Sequence, residues 1–176
     1  MKASTGNLRK IGSICLFVNG LILLSYAIVV LTFLHGVHWL ITLVAVLFLV
    51  ALPAIYYGLL QTRKAAARII SELFGVAMII IIVSDILFTQ SVLSLSSHAM
   101  VYALGNALFV VCIIMIGLVS SKGGFLRWFS YLSLLTGIVE LVTYIPGIPG
   151  LLSAVALILL AVWSFAFGFN LLKTIG

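Results

Sequence analysis

Long apolar runs, separated by short polar segments, make up nearly the whole sequence. A helix needs about 20 apolar residues to cross the hydrocarbon of a bilayer. Six runs meet this length, at approximately 11–34, 39–60, 69–90, 99–119, 127–145 and 151–172. The segments between them contain Gly, Pro, Ser and charged residues, which end helices and form turns. The pattern therefore predicts an all-α integral membrane protein of six transmembrane helices, and the short connections predict three antiparallel hairpins.

The basic residues all fall in segments at one end of this predicted bundle. They lie before span one, between spans two and three, between spans four and five, or after span six: Lys2, Arg9, Lys10, Arg63, Lys64, Arg68, Lys122, Arg127 and Lys173. Because basic segments remain in the cytoplasm, we expect a multi-pass protein of the cytoplasmic membrane with both termini inside. The first apolar run is longer than the roughly 7–15-residue core of a signal peptide, so we expect it to remain as a span.

The amino-acid composition agrees with this prediction and argues against a soluble domain and against a nucleic-acid-binding protein. The chain has 176 residues, of which 65% are hydrophobic and 7% charged, and its mean hydropathy is +1.42. Soluble domains carry about 25% charged residues. The net charge of +6 is spread over short loops, so it predicts no nucleic-acid surface. We expect one domain, 1–176, whose main partner is the lipid bilayer.

A spacing of 59 residues recurs along the chain and suggests a threefold internal repeat. It relates Arg9, Arg68 and Arg127, and likewise Gly58, Gly117 and Gly176. The repeat units would be about 1–59, 60–118 and 119–176. Three unrelated hairpins of equal length would share Arg and Gly at these positions too. The repeat aligns one small or polar face on each odd-numbered helix: Gly12, Asn19, Tyr26; Ser71, Met78, Asp85; Ser130, Gly137, Tyr144. We expect these faces to line the centre of the bundle.

Glu140 is the main candidate for a functional group inside the membrane. It shares one helical stripe with Ser133, Gly137 and Tyr144, so it should point into the bundle. A charge at that depth costs a few kcal/mol or more, so we expect the acid to be protonated or hydrogen-bonded. Its candidate partners are hydroxyls and amides: Asn19, Tyr26, Asn106, Thr136 and Thr143. The group would serve either as a proton, cation or ligand site, or as a hydrogen bond that joins helices.

The other polar candidates lie towards the non-basic end. Asp85 falls near the interface there, where water, Tyr26 and Tyr144 are possible compensating groups, and we expect simple hydration. Three histidines occur at the same end: His35, His38 and His98. With Asp85 they include ligand types that suit Zn or Cu, but the HxxH pair lies at a turn. We interpret them as solvated side chains and predict no metal. We expect Glu72, in the first turn of span three, to pair with Arg68.

Aromatic and small residues predict packing features. Trp39, Tyr102 and Tyr144 are typical of interfacial anchors. Close packing is favoured by Ala99, Ala103 and Ala107 on span four, and by Ser164 and Gly168 on span six; we expect it within the molecule.

No nucleophile–base pair or phosphate-binding loop occurs in the sequence. We therefore expect no enzyme, no catalytic residue and no cofactor. Our first hypothesis is a non-enzymatic accessory or scaffolding subunit that packs with other membrane proteins, with lipids or with itself. The alternative is a small transporter or channel, linked to protons or cations, that uses Glu140 within the bundle.

Overall fold

The computed structural model shows a bundle of α-helices. It describes residues 2–33, 38–60, 62–121, 125–144 and 150–173, and no strand occurs within these ranges. The six helices are α1 (Lys2–Phe33), α2 (His38–Leu60), α3 (Lys64–Thr89), α4 (Leu95–Ser120), α5 (Arg127–Thr143) and α6 (Gly150–Lys173). The prediction of an all-α chain with six helices is confirmed.

Five of the helices, all except α5, are long and apolar enough to cross a membrane. Helix α5 has 17 residues, which at 1.5 Å per residue gives about 26 Å, slightly less than the roughly 30 Å of hydrocarbon. The predicted span at 127–145 is thus a shorter helix. The apolar helices identify the chain as a membrane protein.

The helices form a closed ring. Each packs on the next along the chain, and α6 packs extensively on α1. Contacts across the ring, within the described part of the chain, join α2 to α4 and to α6. The odd-numbered helices therefore do not line the centre by themselves, because the contacts across the ring are made by even-numbered helices. The small faces of the odd-numbered helices are largely buried, and part of them packs on neighbouring helices: Gly12 meets Ala54 of α2, and Gly137 meets Ile114 of α4.

Polar contacts join separate segments of the chain at one end of the ring. There Arg9 Nη2 donates to the carbonyl oxygen of Tyr57 at 3.3 Å, and the backbone N–H of Leu126 donates to Asn170 Oδ1 at 3.2 Å. This end, which also carries Lys64 and Lys173 at helix termini, is called the basic end. The opposite end, where α3 passes into α4, is called the far end.

Aromatic side chains fill the centre of the ring from its middle towards the basic end. Phe48 of α2 packs on Phe74 and Phe109, with ring centroids 5.5 and 5.4 Å apart. Trp163 of α6 lies 6.2 Å from Phe48 and 5.2 Å from Phe167. All five side chains are at most 6% exposed. The centre of the ring is consequently packed with side chains at this level.

The 59-residue repeat and the grouping into three hairpins stay predictions. Arg9 donates to a carbonyl on α2, whereas Arg68 pairs with Glu72 of its own helix at 2.8 Å, as expected for Glu72. The supposedly equivalent arginines thus have different surroundings. Gly176 lies outside the described residues.

Candidate functional site

A cavity of about 450 Å³ lies in the far-end half of the bundle, and all six helices contribute to its wall. Most lining residues are apolar, and the polar ones are Tyr26, His98, Tyr102, Asn106, Glu140, Thr143, Tyr144 and Ser153. Phe48 and Phe109 line it as well and belong to the aromatic centre, so these two rings form its floor towards the basic end. Volume and lining are typical of a small-molecule site, with few polar groups in an apolar wall.

Glu140 supplies the carboxyl group of this cavity. One turn earlier on α5, Gly137 allows close approach to Ile114 of α4, which holds α5 against the cavity wall. The Glu140 side chain is partly buried. Its backbone oxygen accepts a hydrogen bond from Thr143 Oγ1 at 2.7 Å. Within the described residues its carboxyl group has neither a hydrogen bond nor an ion pair, although Tyr102 and Tyr144 line the same cavity.

Three of the five hydrogen-bond partners predicted for Glu140 bond to backbone oxygens instead, and the buried Thr136 Oγ1 has no hydrogen-bond partner among the described residues. Thr143 binds the backbone of Glu140 rather than its carboxyl group. Asn106 donates to the backbone oxygen of Tyr102 at 3.2 Å. Asn19 donates to the carbonyl oxygen of Val44 at 3.3 Å, and it lies outside the cavity wall. The side-chain bonds that a purely helix-joining role would require are therefore absent in the part of the chain that the structure covers.

Asp85 and His98 form a buried polar cluster behind the cavity wall. Thr42 Oγ1 donates to Asp85 Oδ2 at 2.7 Å. His98 Nε2 lies 3.6 Å from Asp85 Oδ1, and His98 Nδ1 lies 2.9 Å from Ser84 Oγ. His98 lines the cavity, whereas Asp85 is not among its lining residues.

The expectation that Asp85 and His98 are hydrated at the interface is wrong, because each is only 4% exposed. The short connection between α3 and α4 explains their burial. Ser94 caps α4 by accepting the N–H of Ser97 at 3.2 Å, and Ser91 takes a positive φ of 59°. The first turn of α4 thereby folds back onto the last turns of α3. Phe88 then covers the imidazole of His98, with ring centroids 4.4 Å apart.

The structure brings together four of the six predicted polar residues. Glu140, Tyr26, Tyr144 and Asn106 line one cavity. Asp85 is linked to that cavity through His98, whereas Asn19 holds α1 to α2.

Tyr102 was predicted as an interfacial anchor, but it lines the cavity, as does Tyr144. The sequence patterns do not identify Tyr102 and Phe109 as site residues. The available signal is their spacing on α4, where His98, Tyr102, Asn106 and Phe109 follow one helical face.

Two further predictions concern metal binding and small residues. His35 and the side chain of His38 lie outside the described residues. Within the described part, no group of three or more His, Cys, Asp or Glu side chains is placed to hold a metal.

On α4, Ala99 and Ala107 are exposed, so the expected packing within the molecule is wrong for them. Gly168 of α6 packs on the backbone of Ser13, as expected.

Comparison of the chain with family models, with curated proteins and with solved structures finds no match in any of the three.

Proposed function

We propose that this protein is a small membrane transporter that binds its solute in the far-end cavity, with Glu140 as the charged group of the site. The observation that carries this proposal is the carboxyl group of Glu140, which lines a cavity of about 450 Å³ without a hydrogen-bond or ion-pair partner among the described residues. An ionisable residue within a membrane bundle is expensive, and such residues typically mark the path of an ion, a proton or a substrate. A lone carboxyl group can bind a proton or another cation, so it is suited to transport that is linked to either one. Such transport requires no chemical reaction.

The aromatic centre favours a carrier over an open channel. Phe48 and Phe109 close the floor of the cavity, and Trp163 continues the packing towards the basic end. A solute bound beside Glu140 is therefore separated from the basic end by several layers of aromatic rings. Passage to that end requires these rings to move, as in alternating access.

The distribution of positive charge supports an orientation for this carrier. By the positive-inside rule the basic end faces the cytoplasm, with both termini there, in the cytoplasmic membrane. The cavity with Glu140 then lies in the outer half of the bilayer, and the aromatic centre lies between it and the cytoplasm.

Proton flux in liposomes tests the role of Glu140. Purified protein is reconstituted with a pH-sensitive dye inside, and a potassium diffusion potential drives cations inwards. We expect acidification above that of empty liposomes, and we expect Glu140→Gln to abolish it. Glu72→Gln is the matched control, because it removes an exposed carboxylate from the basic half of α3. Flux equal to that of empty liposomes, or equal in wild type and Glu140→Gln, would contradict the proposal.

An accessory role is the second candidate, and the outward face of α4 favours it. Ala99 and Ala107 are exposed, with Ala103 between them partly exposed. Small side chains on an outward face let a helix of another membrane protein approach closely. A native mass spectrum of the protein, extracted from its own membrane in mild detergent, tests this role. A defined heavier assembly that Ala103→Trp disrupts would support it, and a bare monomer would exclude it.

A further inference from the structure

We infer that the far-end cavity selects lipophilic organic cations, meaning amines or quaternary ammonium ions with an apolar body. This inference rests on the proposed function, since it names the class of solute that the Glu140 site takes. Three features of the cavity wall support this inference: its charge, its aromatic side chains and its large apolar surface.

The charge of the wall favours a cation. Among the described residues that line the cavity, Glu140 is the one acid and none is Lys or Arg. His98 is the possible exception as a positive group, but Asp85 lies 3.6 Å from its Nε2 and balances any charge on it. An anionic solute would meet Glu140 without a counter-ion. A neutral solute would leave the carboxyl group unpaired in an apolar wall, which is unfavourable if the group is ionised.

The aromatic and apolar parts of the wall suit the rest of such a solute. Tyr26, Tyr102 and Tyr144 line the same cavity as Glu140, and the faces of aromatic rings attract cations. Most of the remaining wall is aliphatic, with residues such as Leu23, Val44 and Leu157. The volume of about 450 Å³ lies within the range of sites for small organic molecules. A hydrated metal ion or a sugar would leave this apolar surface without a matching partner.

One carboxyl group can hold either a proton or the organic cation. When a permanent cation binds to the protonated form, the O–H bond of Glu140 breaks, the proton passes to water, and the carboxylate pairs with the ammonium ion. Each cation bound in this way releases one proton. The proton and the organic cation therefore compete for the same group, and the bound ion should inhibit the proton flux that depends on Glu140.

A pair of probes that differ only in charge tests the inference. The first is a phenylalkyl trimethylammonium ion, and the second is its neutral carbon isostere, in which a tert-butyl group replaces the ammonium group. Binding to the full chain in detergent is measured by calorimetry at mildly acidic pH, in two buffers with different heats of ionisation. We expect wild type to bind the ion about tenfold or more tightly than the isostere and to release about one proton per ion. Glu140→Gln should lose most of the preference and all of the proton release, and Glu72→Gln should retain both.

The pH dependence of wild type is a second test, which stands even if Glu140→Gln fails to fold. Protons compete with the ion, so affinity for the ion should fall as pH falls, and affinity for the isostere should not. The ionisable groups around Glu140 are Tyr26 of α1, Tyr102 and His98 of α4, and Tyr144, with Asp85 of α3 behind His98. The variant His98→Gln separates the contribution of His98 from that of Glu140.

The outcomes distinguish this inference from the proposed function. If Glu140-dependent proton flux occurs but the ion binds no more tightly than the isostere, the choice of organic cations is wrong and the carrier proposal stands. If the ion preference is as large in Glu140→Gln as in wild type, the inference is overturned as well. If neither flux nor probe binding depends on Glu140, both proposals fail.

Discussion

Replacement of Gly12 by alanine tests the packing of α1 on α2, which closes one side of the ring. An added Cβ at Gly12 would collide with the Cβ of Ala54 and would lie 3.4 Å from the backbone oxygen of Ala51. Alanine has no side-chain torsion that could move its methyl group aside. The collision can therefore be relieved only if the two helices separate.

The expected magnitude follows from two opposing effects. Alanine is favoured over glycine in a helix interior by about 1 kcal/mol. Overpacking of a tight contact costs about 1–3 kcal/mol. Gly6, on the same helix, has no atom within 4 Å of the position that its Cβ would take, so Gly6→Ala shows the helix effect alone. We expect Gly12→Ala to be less stable than Gly6→Ala by about 1–3 kcal/mol.

The assay is reversible unfolding in mixed micelles, followed by helical circular dichroism as the denaturing detergent is increased. The double variant Gly12→Ala with Ala54→Gly removes the colliding methyl group and should recover most of the lost free energy of unfolding. Equal stability of Gly12→Ala and Gly6→Ala would refute the close approach of α1 to α2. Failure of Ala54→Gly to compensate would refute the identity of the contact.

Two further predictions concern buried hydrogen bonds. Ser133→Ala should lower the free energy of unfolding by about 1–3 kcal/mol, because Trp163 Nε1 donates to Ser133 Oγ at 2.8 Å and both residues are fully buried. As a control, Ser121→Ala at an exposed position should change the free energy of unfolding by less than about 0.5 kcal/mol. Equal effects of the two substitutions would contradict the hydrogen bond. Thr42→Val should destabilise the protein by about 1–3 kcal/mol, because Asp85 Oδ2 then loses the hydroxyl donor that lies 2.7 Å away. Thermal unfolding in detergent measures this effect. An unchanged midpoint would contradict the hydrogen bond between Thr42 and Asp85.

Apolar run length and helical spacing predict much of this architecture. The six runs correspond to six observed helices. The spacing of Gly137 and Glu140 correctly places the acid on an inward face, where it lines the cavity. This periodicity depends only on the sequence of the helix itself, because a residue that faces lipid differs in polarity from one that faces protein, whichever helix lies beside it.

Tertiary contacts account for what periodicity cannot predict. A small residue such as Gly12 indicates close packing, but its partner on α2 depends on how the ring closes. Asp85 and His98 lie at helix ends, where sequence predicts hydration. Their burial depends on the turn between α3 and α4 and on Phe88, which covers the imidazole. Tyr102 has the composition of an anchor, and only the position of α4 in the ring turns it towards Glu140.

The exchange of a proton for an organic cation at Glu140 is the central claim, and infrared difference spectroscopy observes it most directly. The phenylalkyl trimethylammonium ion is added to wild-type protein at mildly acidic pH, and the carboxyl stretching region is recorded. We expect a protonated-carboxyl band to disappear as a carboxylate band grows. Neither change should occur in Glu140→Gln, and both should persist in Glu72→Gln. Identical difference spectra for wild type and Glu140→Gln would contradict it.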